Sequence, residues 1–149
     1  MKYTLEIDID LPRDRVITLF DNPENLKHWQ PGFMSMEPLS GTPGQAGATS
    51  RLKYKIGGRE LELIETITVR NLPDEFSGTY ETEGMWNEVR NIFQAVDHNK
   101  TRWISYVEFR PSSFSLKLMM KLAPGAFRKQ SYQFMKDFKK WAEGNADVS

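Results

Sequence analysis

Cysteine is absent from this 149-residue chain, which excludes thiol catalysis, disulfide bridges and thiolate metal sites. Surplus charge is absent as well, because twenty basic residues are balanced by twenty acidic ones. Nucleic-acid binders draw their affinity from excess positive charge, so no nucleic-acid partner is expected. Histidine is scarce: His28 and His98 stand far apart with no cysteine to assist them, so no metal site is expected. The glycines from Gly41 to Gly47 match neither a Walker loop nor GxGxxG, and nothing else suggests a cofactor. No apolar run approaches the roughly eighteen residues of a membrane span. The opening MKYTLEIDID alternates apolar and polar residues and lacks the apolar centre of a signal peptide. The expectation is a cytoplasmic protein without stable membrane insertion, monomeric or weakly homodimeric. Its length fits one domain over residues 1–149, long enough to bury roughly 68–70% of its unfolded surface without a staple.

What the chain does have is periodicity. Tyr3, Leu5, Ile7 and Ile9 alternate with polar residues, the pattern of a strand with one buried face. Pro12 then suits the first turn of a short helix edged by Val16, Leu19 and Phe20. Asp21-Asn22-Pro23 supplies a capping side chain followed by proline, predicting a second short helix over about Pro23 to His28. Six strands follow. Met34, Met36 and Leu39 mark the first, and Leu52, Tyr54 and Ile56 the next, with Gly57-Gly58 as a two-residue hairpin signal. Leu61, Leu63, Ile67 and Val69 continue on the return strand, and Phe76 and Tyr80 lie on another. Val89, Asn91, Phe93 and Ala95 share a face of the sixth strand, and Trp103, Ser105, Val107 and Phe109 one of the seventh. Short hairpin-like links imply a mainly antiparallel, curved sheet.

The C-terminal part is helical. Ser112 or Ser113 after Pro111 can cap a helix carrying Phe114, Leu118 and Leu122, although Phe114, Leu116, Leu118, Met120 and Leu122 also alternate. Ordinary packing against the sheet edge is the simplest role for this apolar series, which includes Met119. A cavity lid and a dimer or membrane contact are the alternatives. From Pro124 to Gly144, Phe127, Ser131, Phe134, Met135, Phe138, Trp141 and Ala142 recur at steps of three and four. They form one face of a helix about 30 Å long. Gly144 is a natural stop in the left-handed C′ position.

The order strand, two short helices, six strands and a long helix resembles the SRPBCC superfamily, which includes polyketide cyclases, START lipid-transfer domains and plant pollen-allergen proteins. The residues in register with it are Pro12, Trp29-Gln30-Pro31, Gly41 through Gly47, Leu72-Pro73 and Phe138-Lys139-Lys140-Trp141-Ala142-Glu143. The resemblance spans nearly the whole chain. It implies an α+β helix-grip fold: a seven-stranded antiparallel curved sheet wrapped around a long C-terminal helix, with a cavity between them. It also implies a small hydrophobic or amphipathic ligand (lipid-, steroid- or polyketide-like) as partner. No shared catalytic motif carries over.

Polar residues in phase with buried strand faces are the informative ones for a site. Glu65 lies between Leu63 and Ile67, and a carboxyl buried there becomes a general acid or base; a bulge turning it outward, or a structural ion pair, is the bland alternative. Asn91, between Val89 and Phe93, can hold a ligand group, or bond to Glu65 or the backbone. Tyr54, Tyr80, Asn87 and Ser105 follow by phase, with ordinary core or cavity lining as their simpler role. Phe93, Trp103 and Trp29 are expected to line the cavity, with Phe127, Phe134 and Phe138 forming a wall on the helix. His28 sits near the expected mouth but more simply caps its helix C-terminus. Two further readings stand beside ligand binding. One is a cyclase- or dehydratase-like enzyme that uses Glu65. The other is a chaperone-activator-like interaction domain, which a filled interior together with a large exposed apolar patch near Leu116 to Leu122 would favour.

Overall fold

The computed structural model describes residues 1–145. One antiparallel sheet of seven strands runs in the order β1-β7-β6-β5-β4-β3-β2. The strands are β1 Lys2–Ile9, β2 Phe33–Ser40, β3 Thr49–Ile56, β4 Arg59–Asn71, β5 Glu75–Thr82, β6 Met85–Asp97 and β7 Lys100–Pro111. Between β1 and β2 lie α1 (Arg13–Phe20), a 3-10 turn (Pro23–Asn25) and the single-turn α2 (Leu26–Trp29). The chain ends in α3 (Phe114–Leu122) and α4 (Pro124–Gly144). This is the helix-grip arrangement that the family resemblance implies. No helix of the described residues is long and apolar enough to cross a membrane.

Local chemistry accounts for the boundaries. The Asn22 side chain accepts from the Glu24 N–H at 3.0 Å and starts the 3-10 turn, with Pro23 at its first position. Gly57 and Gly58 both have positive φ, at 58° and 80°, which the two-residue hairpin between β3 and β4 demands. Gly32 precedes β2 at φ 81°, and a Cβ there would stand 2.4 Å from the Lys55 carbonyl oxygen. The close approach lets Lys55 N–H reach the Gly32 carbonyl at 2.7 Å. The Ser113 hydroxyl accepts from Leu116 N–H and caps α3.

Four expectations change. The β4–β5 register shifts between Ile67 and Val69, so the strand changes phase there. Val69 therefore points outward, and Arg70 takes the inward place beside Phe76. Ala95, although in regular register with Thr101 just before a second shift, is exposed. The apolar series of α3 does not simply pack: Met120 is buried and Leu116 half-buried, but Phe114, Leu118, Met119 and Leu122 face outward. At the end of α4, Gly144 is not in the left-handed region, and Asn145 closes the helix by donating its side-chain amide to the Trp141 carbonyl at 2.7 Å.

The core is concentrated at one end. Met135, Phe138 and Ala142 of α4 pack with Leu5, Ile7 and Ile9 of β1, Val16 and Leu19 of α1, Trp29, Phe93 and Trp103. Phe20 sits among the rings of this core, with centroids 5.0 Å from Phe93, 5.5 Å from Trp103 and 5.9 Å from Phe138. The other half of α4 carries Phe127, Ser131 and Phe134 over a different surface. There the Tyr3 hydroxyl ties β1 to the helix by donating to the Phe127 carbonyl at 3.0 Å.

Candidate functional site

The first half of α4 touches the sheet at Tyr3 of β1 and Phe109 of β7, and the concave face beyond them is left open. The space between sheet and helix has a volume of about 1180 Å³. Small-molecule sites usually occupy roughly 300–1,000 Å³, so this one is generous. The concave strand faces carry short side chains where long ones would fill it: Ser50 on β3 and Ser105 on β7. Leu52, Leu63, Phe76, Val89 and Val107 supply apolar walls, and Phe127, Phe134 and Met135 the roof. Phe20, Trp29 and Trp103 separate the hollow from the packed core. Met34, Ile56 and Leu61 line it as exposed side chains, so these apolar residues stand at its opening.

A row of polar groups crosses the concave face along the ladder, from Ser50 to Glu65 to Tyr80 to Asn87. Glu65 is 8% exposed. Burial pushes its carboxyl above the usual carboxylate range, and the hydrogen bond from the Tyr80 hydroxyl offsets only part of that. No cation contributes. Tyr80 is itself raised well above an ordinary phenol, by burial first and then by the negative charge of Glu65. Tyr54 is raised by burial and by Glu65, and its hydroxyl donates to Gln30 Oε1 at 2.6 Å. Both phenols therefore remain donors at neutral pH. Such a carboxyl can donate a proton to a ligand oxygen when neutral and accept one when ionised.

The structure brings most of the sequence-predicted residues together. Tyr54, Glu65, Tyr80, Asn87, Asn91, Trp103, Ser105, Trp29, Phe127 and Phe134 all border the hollow. Phe93 and Phe138 do not: at 1% and 0% exposed they belong to the packed end. Asn91 does not pair with Glu65, because its Oδ1 accepts from Trp103 Nε1 at 2.9 Å. His28 stacks on Trp141, with centroids 5.6 Å apart and planes 13° apart, and lies outside the main hollow. Among the described residues, two buried polar atoms in the cavity wall have no partner, Trp29 Nε1 and Asn87 Oδ1.

Sequence reasoning missed Phe20, Gln30 and the Asp21–Arg70 pair. Arg70 grips Asp21 with two bonds of 2.7 Å, and both residues border the cavity. The bulge hid Arg70, since strict alternation puts it outside. A charged side chain just before the Asn71-Leu72-Pro73 turn was the only available signal.

The sequence matches the family described as polyketide cyclase / dehydrase and lipid transport over residues 1–143. The chain belongs to this family. It thereby takes its place in the SRPBCC superfamily, whose fold it shares. Among solved structures it resembles the ZhuI aromatase/cyclase from Streptomyces sp. R1128, with TM-score 0.80 and 11% identity over 98% of this chain and 95% of that one. It also resembles a START superfamily protein from Mycobacterium smegmatis (TM-score 0.73, 11% identity, 98% and 97% covered). A third likeness is the major latex-like protein 151 of Panax ginseng (TM-score 0.72, 12% identity, 94% and 95% covered). At such identities these likenesses carry the fold alone. No protein with a curated description matches the sequence significantly.

Proposed function

We propose that this protein binds a small apolar or amphipathic molecule, lipid-, steroid- or polyketide-like, between the sheet and α4. The observation that carries this reading is a hollow of about 1180 Å³ with apolar walls and a buried carboxyl at one polar row. Native mass spectrometry of the protein purified from its own cell tests it. A co-purifying apolar molecule, released on denaturation and able to displace an apolar fluorescent probe, is the expected result. A bare protein that binds none of a panel of fatty acids, sterols and polyketides sinks it.

The Glu65–Tyr80 pair favours a second reading, in which the bound molecule is turned over by cyclisation or dehydration. Glu65 then moves the proton and Tyr80 holds a substrate oxygen. Turnover of a polyketide-like substrate that Glu65→Gln abolishes while leaving its binding intact supports this reading. Turnover that survives the substitution removes it. The interaction-domain reading looked for a filled interior together with an exposed apolar patch near Leu116 to Leu122; the patch is there, but the hollow speaks against a filled interior.

A further inference from the structure

The outward face of α3 is the largest feature that the cavity leaves unexplained. Phe114 is 80% exposed, Leu122 74%, Met119 51% and Leu118 44%. Helical geometry at 100° per residue places these four on one arc of about 140°. Leu116 and Met120 fall outside that arc, and Leu116 lines the cavity. Lys117 and Lys121 stand together along one border of the exposed arc, both exposed. Four large apolar side chains facing water on nine residues require an explanation.

Charge indicates what covers them. Although the chain is neutral overall, Glu108 and Asp137 are the acidic residues that bracket a stretch containing none. That stretch holds Arg110, Lys117, Lys121, Arg128, Lys129 and Lys136. Arg110 is engaged with Glu108, while no acidic side chain pairs with Lys117, Lys121, Arg128 or Lys129 among the described residues. An apolar arc bordered by unpaired cations has the composition of a helix that lies in a bilayer interface. It is ill suited to self-association, because a second copy would bring the same cations against these. At nine residues α3 is about 14 Å long, enough to lie on a membrane and too short to span it.

We propose that α3, with the start of α4, is a docking surface for anionic lipid membranes. Phe114, Leu118, Met119 and Leu122 enter the acyl boundary while Lys117, Lys121, Arg128 and Lys129 meet lipid phosphates. Because Leu116 on the same helix forms part of the cavity wall, docking sets the cavity beside the bilayer. The proposal stands whether or not the cavity ligand is itself a lipid.

Co-sedimentation of the full chain with two kinds of vesicle tests it: phosphatidylcholine alone, and phosphatidylcholine containing about a third phosphatidylglycerol. The expected result is pelleting with the anionic vesicles, weak or no pelleting with the neutral ones, and release as salt is raised. Each cation near an anionic surface is worth about fivefold in affinity, so Lys117→Glu/Lys121→Glu should weaken binding at least about twentyfold. Phe114→Ser/Leu122→Ser should also release the protein, with the melting temperature checking that it still folds. Because the chain has no cysteine, Leu118→Cys gives a single labelling site for an environment-sensitive dye. A blue shift of that dye with anionic vesicles, absent from a dye on Asn99→Cys, places the arc in the lipid. Equal binding to neutral vesicles, no binding, or binding unchanged by the substitutions overturns the proposal. So does a concentration-dependent dimer that Phe114→Ser/Leu122→Ser dissolves in the absence of vesicle binding, which would assign the face to a second copy. An acidic protein that occupies the face while vesicles do not would overturn it too.

Discussion

The Glu65 carboxyl and the Tyr80 phenol are cross-strand partners on the concave face, where each acts on the ionisation of the other and no cation offsets the burial of the acid. Burial makes the acid resist ionisation, against the partial offset from Tyr80, and its pKa lies above the value it has in the unfolded chain. The folded state therefore binds the proton more tightly than the unfolded state does. Stability is highest below the unfolded pKa of about 4.3 and falls as pH rises through the folded pKa.

Glu65→Gln removes that titration while preserving the side chain's size. The variant should melt higher than the parent at neutral pH, and the gap should close as pH is lowered toward 4.5. Thermal melts of both proteins across pH 4.5–8 check this. A parent whose margin over the variant instead widens with rising pH would show that the carboxylate is stabilised in the fold, reversing the assignment.

The two halves of α4 should respond differently to truncation. Phe138 is fully buried in the packed end, so Phe138→Ala should cost about 3–5 kcal/mol in urea unfolding. Phe134 borders the hollow and is only half-buried, so Phe134→Ala should cost about 1 kcal/mol or less while weakening retention of an apolar probe. Similar losses of stability at both positions would contradict the division.

Asn91 acts through Trp103. Asn91→Ala leaves the Trp103 indole N–H buried without its 2.9 Å acceptor, which should cost about 1–3 kcal/mol. A near-neutral effect in chemical denaturation would mean that water or the cavity ligand satisfies the indole.

Gly32→Ala introduces a Cβ that would lie 2.4 Å from the Lys55 carbonyl oxygen at a φ of 81°. Relief requires separating the start of β2 from β3, beside Phe33 and Tyr54 at the cavity. The variant should lose stability by about 1–3 kcal/mol. Amide exchange at Lys55, which donates to the Gly32 carbonyl, should accelerate. Unchanged exchange at Lys55 would contradict the close approach.

Alternation and helical spacing made most of this fold legible. Leu5, Ile7, Ile9, Leu52, Tyr54, Trp103 and Val107 are buried on the faces their phase indicates, and α4 runs from Pro124 to Gly144 as its spacing implies. Val69 broke the pattern because a bulge is a property of two strands in register, invisible in either alone. Within the site, Glu65, Tyr80 and Asn87 could be placed together because a period of two fixes their face and hairpin links fix their neighbours. What the spacing of α4 could not distinguish was Phe134 from Phe138. Both lie on one stripe, and their surroundings differ only because α1 and β1 pack beneath one end of the helix. Phe20 was read as the edge of a short helix, whereas the fold carries it to the centre of the aromatic cluster. The exposure of α3 was hidden for the same reason: an apolar series announces that it needs a partner, not whether the chain supplies one.

The uneven grip of α4 separates two kinds of mutational freedom. Substitutions around Met135, Phe138 and Ala142 are constrained by close packing, where even one methylene is felt. Phe127, Gln130 and Phe134 border open space and are less constrained, although Phe127 meets the Phe109 ring at 5.2 Å and Phe134 packs on the edge of the core. A chain built this way can be retuned from one small molecule to another by altering the first half of a single helix. That makes these three positions the first to randomise in a search for altered selectivity.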